Sequence, residues 1–105
     1  MTTAEIVDRA GRLLAAAVPS HSKVILFGSH SRSNARADSD FDFLVIEPSV
    51  VGKAKEMVRL RGVLDPLRVA ADVVVVSQDY AEEWGDVPGT MLYDALTEGR
   101  VLAET

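Results

Sequence analysis

The sequence contains no cysteine, few aromatic residues, no excess of basic residues and no long hydrophobic run. Without cysteine there can be no disulfide, no thiol catalysis and no zinc site built on thiolates. Lys and Arg number 11 against 16 Asp and Glu, which gives a net charge of −5 and disfavours extended binding of DNA or RNA. No segment predicts a membrane span or a secretion signal. We therefore expect a cytoplasmic protein that binds neither membranes nor extended nucleic acid.

The sequence does contain the composition of an ordinary globular protein, with 48% hydrophobic and 26% charged residues. A chain of 105 residues suits one domain, predicted to span residues 1–105. Apolar residues at helical spacing predict helices over 3–17, 51–64, 77–84 and 91–96. Short apolar runs predict strands over 23–27, 41–46, 72–76 and, at an edge, 101–102. This alternation predicts an α/β fold in which a small mixed β-sheet is flanked by helices.

Three finer expectations concern the placement of these elements. Four consecutive valines in the strand over 72–76 favour a central position in the sheet. In the helix over 51–64, the apolar stripe is predicted to face the core and consists of Ala54, Met57, Val58 and Leu64. At the first helix, Thr2 or Thr3 can cap the start, but a full capping box is not expected from Thr3 onward.

Residues 24–46 are the most informative stretch of the chain. An apolar strand ends at Gly28 and Ser29, a polar loop follows, and a second apolar strand starts around Asp40 and Asp42. Alternate side chains of a strand share a face, so Asp40 and Asp42 should lie on the same side. Two acids on one face of an apolar strand repel each other and lose hydration, and a bound cation offsets that cost. Hard oxygen ligands beside a phosphate-sized loop indicate magnesium.

The loop after the first strand has its own predicted chemistry. Gly28 allows a sharp turn and the close approach of a ligand, although a Gly-Ser pair also ends many strands for turn reasons alone. Ser29 can offer a hydroxyl and an amide to phosphate oxygens, and we expect it at the start of a short helix. Arg32 or Arg36 could neutralise phosphate charge, and Ser39 is expected to brace the turn before the acids. His30 has no predicted role.

The segments Gly28-Ser29 and Ser39-Asp40-Phe41-Asp42 resemble the signature of nucleotidyltransferases of the DNA polymerase beta superfamily. They are most similar to its minimal (MNT) branch, whose motif runs roughly Gly-Ser-x-Ala-Arg-Gly, a spacer, then Ser-Asp-x-Asp. Ser31 and Ser33 replace the usual alanine and glycine of that motif. The resemblance implies the nucleotidyltransferase fold and a third carboxylate on a later strand, a position that Asp72 matches.

The resemblance also implies roles for the matching residues. Asp40, Asp42 and Asp72 would be the catalytic residues and would hold two Mg²⁺ ions. The nucleotide-binding residues would be Gly28, Ser29, Arg32 and Ser39, with ATP as the nucleotide donor. Arg32 takes the position of the family's arginine, while the role of Arg36 stays open.

The minimal branch is similar to antitoxins encoded beside helical HEPN ribonuclease toxins. Some of these antitoxins transfer AMP onto a tyrosine of the toxin. The resemblance therefore implies a protein adenylyltransferase in a hetero-oligomer with such a toxin. Two alternatives remain: an inactive antitoxin that acts by binding alone, and a nucleotidyltransferase that modifies a small molecule. The segment over 80–92 contains Trp84, Met91 and Leu92, which are typical of interface anchors but equally of a flap packed on the sheet.

Overall fold

The computed structural model describes residues 1–32, 35–36 and 39–105, so Ser33 of the motif lies outside the described residues. The helices are α1 Thr3–Ala17, α2 Lys53–Val63, α3 Gln78–Trp84 and α4 Met91–Glu98, with a short 3₁₀ helix at Asp65–Leu67. The strands are β1 Lys23–Phe27, β2 Phe41–Glu47, β3 Ala71–Ser77 and β4 Arg100–Glu104. The predicted elements are thus confirmed, with ends that shift by a few residues.

The four strands form one mixed sheet in the order β3-β2-β1-β4. Strand β1 pairs antiparallel with β2 and β4, whereas β2 pairs parallel with β3. The mixed α/β architecture is therefore as predicted, but the central position expected for the third strand is wrong. β3 lies at the edge, and its valines are nevertheless shielded because both of its faces are covered: Val73 and Val75 join one core cluster and Val76 joins the other.

Helices cover both faces of the sheet, and β2 contributes to both cores. Phe41, Phe43 and Val45 pack in the cluster that includes residues of α1 and α2, while Leu44 and Ile46 pack with residues of α3 and α4. Alternating side chains of one strand can serve two layers in this way because successive Cβ atoms point to opposite faces. The same alternation sends Asp42 toward the α3–α4 side. No helix of the described part is long and apolar enough to span a membrane.

Side-chain caps fix where α1, α3 and α4 begin. The Thr2 hydroxyl accepts from the Glu5 amide at 3.1 Å, and the Glu5 carboxylate accepts from the Thr2 amide at 3.2 Å. This is a complete capping box that begins at Thr2, the first of the two predicted caps, and not at Thr3, from which none was expected. Hydrogen bonds from Thr2 lower the pKa of Glu5. Ser77 and Thr90 cap α3 and α4 in the predicted regions.

Helix α2 departs most from its sequence pattern. Leu60 is buried within the helix, and Leu64, directly after it, is buried as predicted. Ala54, by contrast, is exposed and Val58 is 73% exposed. Met57 is half-buried beside the core. The predicted apolar stripe therefore does not face the core as a whole, because α2 packs against the edge strand β3, where less of the helix can be covered.

The far end of β2 holds a buried carboxylate. Glu47 is 3% exposed, and its Oε2 has no hydrogen-bond partner within the described residues. Burial, together with the neighbouring Glu56, raises the pKa of Glu47 to about 7. Arg59 donates to both oxygens of Glu56 at 2.7 and 2.8 Å and lowers the pKa of Glu56 to about 2. Arg59 also donates to the carbonyl of Ala17 at 2.9 Å, so this cluster joins α1, α2 and β2.

Candidate active site

A tight turn at the end of β1 brings the backbone against the second strand. Gly28 has a φ of +78°, a conformation that L side chains rarely adopt. A Cβ at Gly28 would lie 2.5 Å from Oδ2 of Asp42, so the absence of a side chain allows this approach. The carbonyl of Gly28 accepts from the amides of Ser31 at 3.1 Å and Arg32 at 3.3 Å. Residues 28–32 thus form hydrogen-bonded turns, and not the short helix expected at Ser29.

The parallel pairing of β2 with β3 brings two predicted acids together. Asp42 and Asp72 are register partners and therefore lie side by side on the same face of the sheet. Asp40 precedes β2 by one residue and is exposed, while Asp42 is half-buried. Burial first, then the charges of Asp72 and Asp40, raise the pKa of Asp42, and His30 acts in the opposite direction. The arrangement concentrates negative charge at one edge of the sheet.

This donor set fits magnesium. Carboxylate oxygens are its preferred protein ligands, and the mutual repulsion that raises the pKa of Asp42 is the kind that a divalent cation relieves. Within residues 1–32, 35–36 and 39–105, no three potential ligand side chains already form a metal-binding cluster. Magnesium commonly binds through one or two carboxylates plus phosphate oxygens of a substrate, so a nucleotide would complete such a site.

Two cavities lie close to the acids and the Gly28 turn. One, of about 530 Å³, is lined by Asp42, Asp72 and mainly apolar side chains, with Arg61 at the end of α2. The other, of about 180 Å³, is lined by Gly28 and Arg32 together with residues of α4. Phe27 and Met91 contribute to both cavities. The sheet order places β1, which leads into the Gly28 turn, on one side of β2 and β3 on the other.

Arg32, which lines the smaller cavity, forms an ion pair with Glu98. Its Nη1 lies 3.5 Å from Oε2 of Glu98, and both side chains are about half exposed. The Ser31 hydroxyl donates to the carbonyl of Glu98 at 3.1 Å. The end of α4 thus holds the loop after β1, and Arg32 would have to share or exchange Glu98 to bind a phosphate. An exposed ion pair of this kind contributes at most about 1 kcal/mol, so an anionic ligand can displace it.

The remaining described loop residues stabilise the loop itself. Ser39 accepts from the Arg36 amide at 2.9 Å and donates its own amide to the Arg36 carbonyl at 3.1 Å, so Ser39 braces this turn as predicted. The His30 ring stacks on Phe41, with centroids 3.8 Å apart and planes inclined by 5°. His30 Nε2 lies 3.0 Å from the Ser39 carbonyl oxygen, which can only accept, so Nε2 carries the proton.

Of the predicted site residues, the structure places Gly28 and Asp72 next to Asp42. Arg32 lines the smaller cavity together with Gly28. Sequence reasoning missed the apolar lining of the larger cavity, the Glu98 partner of Arg32 and the stacking of His30. Exposed apolar residues on a helix next to the acidic motif could have indicated the cavity lining. The Arg32–Glu98 and His30–Phe41 contacts join residues that are not close sequence neighbours, and no local sequence pattern indicates them.

Comparisons with known proteins identify the family and the fold of the chain. A family model described as a nucleotidyltransferase domain matches residues 13–101 of the chain. The chain belongs to this family, and the predicted resemblance and fold are confirmed. No curated protein sequence matches the chain significantly.

Solved structures of similar fold come from toxin–antitoxin complexes. A chain from a toxin–antitoxin structure with AMP-PNP superposes with a TM-score of 0.68 at 20% identity, over 94% of this chain and 73% of that chain. A chain from the MntA–HepT toxin–antitoxin gives 0.63 at 17% identity, over 98% and 74%. A chain from a complex of a tri-AMPylated Shewanella oneidensis HEPN toxin with an MNT antitoxin gives 0.56 at 19% identity, over 99% and 74%. At these identities the likeness shows a common fold.

Proposed function

We propose that this protein is a cytoplasmic, magnesium-dependent adenylyltransferase that moves AMP from ATP onto a hydroxyl of a partner protein. The partner would be a HEPN-type toxin, the acceptor one of its tyrosines, and the protein its antitoxin. The observation that carries the proposal is the pairing of Asp42 with Asp72 on one face of the sheet, with Gly28 packed against Asp42, in a chain of the nucleotidyltransferase family.

The carboxylates of Asp40, Asp42 and Asp72 would hold two magnesium ions. When bound, these ions neutralise charge that develops on the transferring phosphorus and on the attacking and leaving oxygens. The protein contributes the position of the ligands: β2 and β3 fix the spacing of Asp42 and Asp72, and the turn at Gly28 brings backbone close to them.

The residues of the loop after β1 would bind the β- and γ-phosphates. Gly28 leaves room for phosphate oxygens, Ser29 offers its amide and hydroxyl, and Arg32 adds a charge-assisted contact. Ser39 keeps the second half of the loop in place through its two bonds with Arg36. This placement would put the pyrophosphate leaving group in or near the smaller cavity, beside Gly28 and Arg32.

The acceptor hydroxyl must then approach from the other side. In an in-line displacement, the entering oxygen and the leaving oxygen lie on opposite sides of the phosphorus. Asp72 lies on the side of Asp42 away from the Gly28 turn, at the edge of the sheet. The acceptor oxygen forms its bond to the α-phosphorus as the bond to the pyrophosphate oxygen breaks, and Asp72 can accept the hydroxyl proton.

Similarity to toxin–antitoxin structures supports the choice of partner. One similar chain comes from a structure with AMP-PNP, and another from a complex whose HEPN toxin is tri-AMPylated. These facts belong to those proteins, but they are consistent with the geometry proposed here. A hetero-oligomer with a toxin is accordingly part of the proposal. Binding without catalysis and transfer to a small molecule are the outcomes that compete with it.

The test is transfer of label from α-labelled ATP, with magnesium, to the product of the neighbouring gene. We expect AMP on a tyrosine of that product, found by mass spectrometry, and loss of transfer in Asp42→Asn. The matched control is Glu47→Gln, the same carboxylate-to-amide change at the other end of β2, which should retain transfer. Neutralisation of the toxin by Asp42→Asn without any AMP would establish the binding-only function instead, and AMP on a small molecule would overturn the acceptor.

A further inference from the structure

Apolar side chains lie exposed on the outer surface of α3 and α4. Tyr80 is 47% exposed and Trp84 48%, and their rings are 6.5 Å apart. Val87 and Leu96 are also exposed, and a Cβ at Gly85 would lie 2.5 Å from Cδ1 of Leu96, so Leu96 reaches the residue that follows Trp84. We refer to Tyr80, Trp84, Val87 and Leu96 as the α3–α4 face.

This face is not needed to attach α3 and α4 to the sheet. The inner sides of these helices already bury Ala81, Leu92 and Ala95 in a cluster with β1 and β2. The two interpretations of this segment thus apply to different residues: Leu92 belongs to a packed layer, and Trp84 points outward. Large exposed aromatic and aliphatic side chains grouped on one surface are typical of a site that binds another protein.

The charged residues of α3, α4 and the turn between them are all acidic. The exposed acids Asp79, Glu82, Glu83 and Asp86 alternate with the apolar residues, and the chain has no Lys or Arg between residues 69 and 99. Glu82 accepts from the amide of Gln78 at 3.0 Å. None of the four forms an ion pair within the described residues. The surface therefore combines exposed apolar side chains with a net negative charge.

We infer that the α3–α4 face docks a basic amphipathic helix of a partner protein, with an apolar stripe on Trp84 and Lys or Arg on either side. The charge selects this occupant among those that an apolar surface could bind. Anionic lipid and nucleic acid would be repelled by the acids. A second copy in a twofold contact would place the same acids opposite each other, which is also unfavourable.

A contact within the chain shows that this face accepts cations. The ammonium of Lys53, at the start of α2, lies 5.6 Å from the centroid of the Tyr80 ring. An aromatic ring attracts a cation over its face, and Trp is the strongest of the aromatic side chains in this respect. Trp84 lies next to Tyr80 and can bind a partner's Lys or Arg in the same manner. The docking face and its preference for basic residues do not depend on nucleotide transfer.

Trp84 is the only tryptophan of the chain, so its fluorescence reports on this face. The probe is a synthetic peptide with a leucine stripe flanked by lysines, compared with a peptide of the same stripe flanked by glutamates. We expect the lysine peptide to shift Trp84 emission to shorter wavelength and to bind more weakly as salt rises. The glutamate peptide should do neither. Binding of both peptides alike, or no shift with either, would overturn the inference.

Two variants of equal charge change distinguish a specific face from general attraction to an acidic protein. Glu83→Lys with Asp86→Lys reverses charges on the face, and Asp8→Lys with Asp65→Lys reverses charges on elements that cover the opposite side of the sheet. The first should weaken lysine-peptide binding by roughly tenfold or more, since attraction becomes repulsion, and the second by less than about threefold. Equal losses would mean that net charge alone attracts the peptide.

The apolar part of the face is tested by Trp84→Ala, followed by calorimetry because the fluorescence reporter is then lost. We expect binding of the lysine peptide to fall by about tenfold or more, as for an aromatic anchor at an interface. Trp84 is half exposed, so the melting temperature should change little. Sedimentation of the protein alone should show no association through this face. Concentration-dependent oligomers that the Glu83→Lys/Asp86→Lys variant abolishes would identify a second copy as the occupant and overturn the proposal.

Discussion

Strand β2 carries a carboxylate near each end, Asp42 and Glu47, and the two have different surroundings. Glu47 is 3% exposed, and its neighbour Glu56 is bonded twice by Arg59, so a cation of the chain balances the negative charge. Asp42 is half-buried beside Asp72 and forms no ion pair within the described residues. Burial is the first cause that raises the pKa of either group, and neighbouring acids add to it, Glu56 at Glu47 and then Asp72 and Asp40 at Asp42. The charge of Arg59 opposes the shift at Glu47.

This difference separates a structural acid from a ligand-binding one. At the Glu47 end, Arg59 also binds the carbonyl of Ala17, so the charged cluster connects three elements of the fold. At the Asp42 end, the acids border cavities, and the glycine turn leaves space against the carboxylate. The fold leaves the repulsion between Asp42 and its neighbouring acids unrelieved. Binding of a cation at this end is favoured because the cation would remove that repulsion. We therefore expect the same carboxylate-to-amide change to abolish transfer at the Asp42 end of β2 and to leave transfer unchanged at the Glu47 end.

The largest expected effect is on transfer in Asp42→Asn. Losing a carboxylate at the reacting phosphate should reduce transfer by about 10²–10³-fold or more, as for other groups that stabilise transition-state charge. Stability should stay equal or rise slightly, because repulsion by Asp72 is removed. Labelled-ATP transfer and thermal unfolding measure the two effects. A strongly lowered melting temperature would show that Asp42 is structural after all and would remove the contrast with Glu47.

The second expected effect is on the pH dependence of stability at the Glu47 end. The folded pKa of Glu47 is raised to about 7 from 4.5, so its contribution to stability is fully present below pH 4.5 and is lost as pH rises through 7. The loss is up to about 3 kcal/mol, from 1.36 kcal/mol per pKa unit. Denaturant unfolding at several pH values should show that Glu47→Gln removes most of this decline.

The coupled acid and the other end of the strand provide controls for that measurement. The pKa of Glu56 is lowered to about 2, so its contribution is lost only as pH falls from 4.5 through 2, outside the window of Glu47. The raised pKa of Asp42 acts in the same direction as that of Glu47, so Asp42→Asn should remove a further, smaller part of the slope. A wild-type profile that is flat between pH 4.5 and 7 would contradict the buried, protonated state of Glu47.

The third expected effect concerns the space between Gly28 and Asp42. Gly28→Ala should destabilise the fold through its positive φ and through contact with the Asp42 carboxylate. Gly89→Ala is the matched control, because Gly89 has a φ of +85° but nothing within 4 Å of its Cβ position. We expect Gly28→Ala to cost about 1–2 kcal/mol more than Gly89→Ala in unfolding free energy. The excess should shrink in an Asp42→Ala background, and an unchanged excess would point to another contact.

The sequence predicted the Asp42 end of β2 well because its signals are local. An apolar strand, a Gly-Ser turn and acids at alternate positions lie within twenty residues, and each has a direct physical meaning in a strand or turn. The run of valines after Asp72 likewise predicted a buried strand. The pairing of Asp72 with Asp42 followed from the family resemblance, and the structure confirms that they are neighbours.

What the sequence could not predict depends on which elements become neighbours. A run of valines shows that β3 is covered but not that it lies at the sheet edge, since helices can shield an edge strand. The exposure of Val58 follows from that edge position. Glu47 reads as an ordinary charged residue after a strand, and its burial becomes visible only when α2 supplies Glu56 and Arg59.

The smallest expected effects are on nucleotide binding and concern the Arg32–Glu98 ion pair. As at the Glu47 end, an arginine of the chain pairs with a carboxylate, but here both side chains are about half exposed. Arg32→Ala should weaken magnesium–ATP binding by roughly tenfold through loss of a charge-assisted contact. Glu98→Gln should strengthen it by a few-fold, because Arg32 no longer has to leave an exposed partner worth at most about 1 kcal/mol. Calorimetric titration measures both. If Glu98 acts through Arg32, Glu98→Gln should have little effect in an Arg32→Ala background. Weaker binding in Glu98→Gln alone would mean instead that Glu98 positions Arg32 for the phosphate, as Arg59 is positioned at the other end of β2.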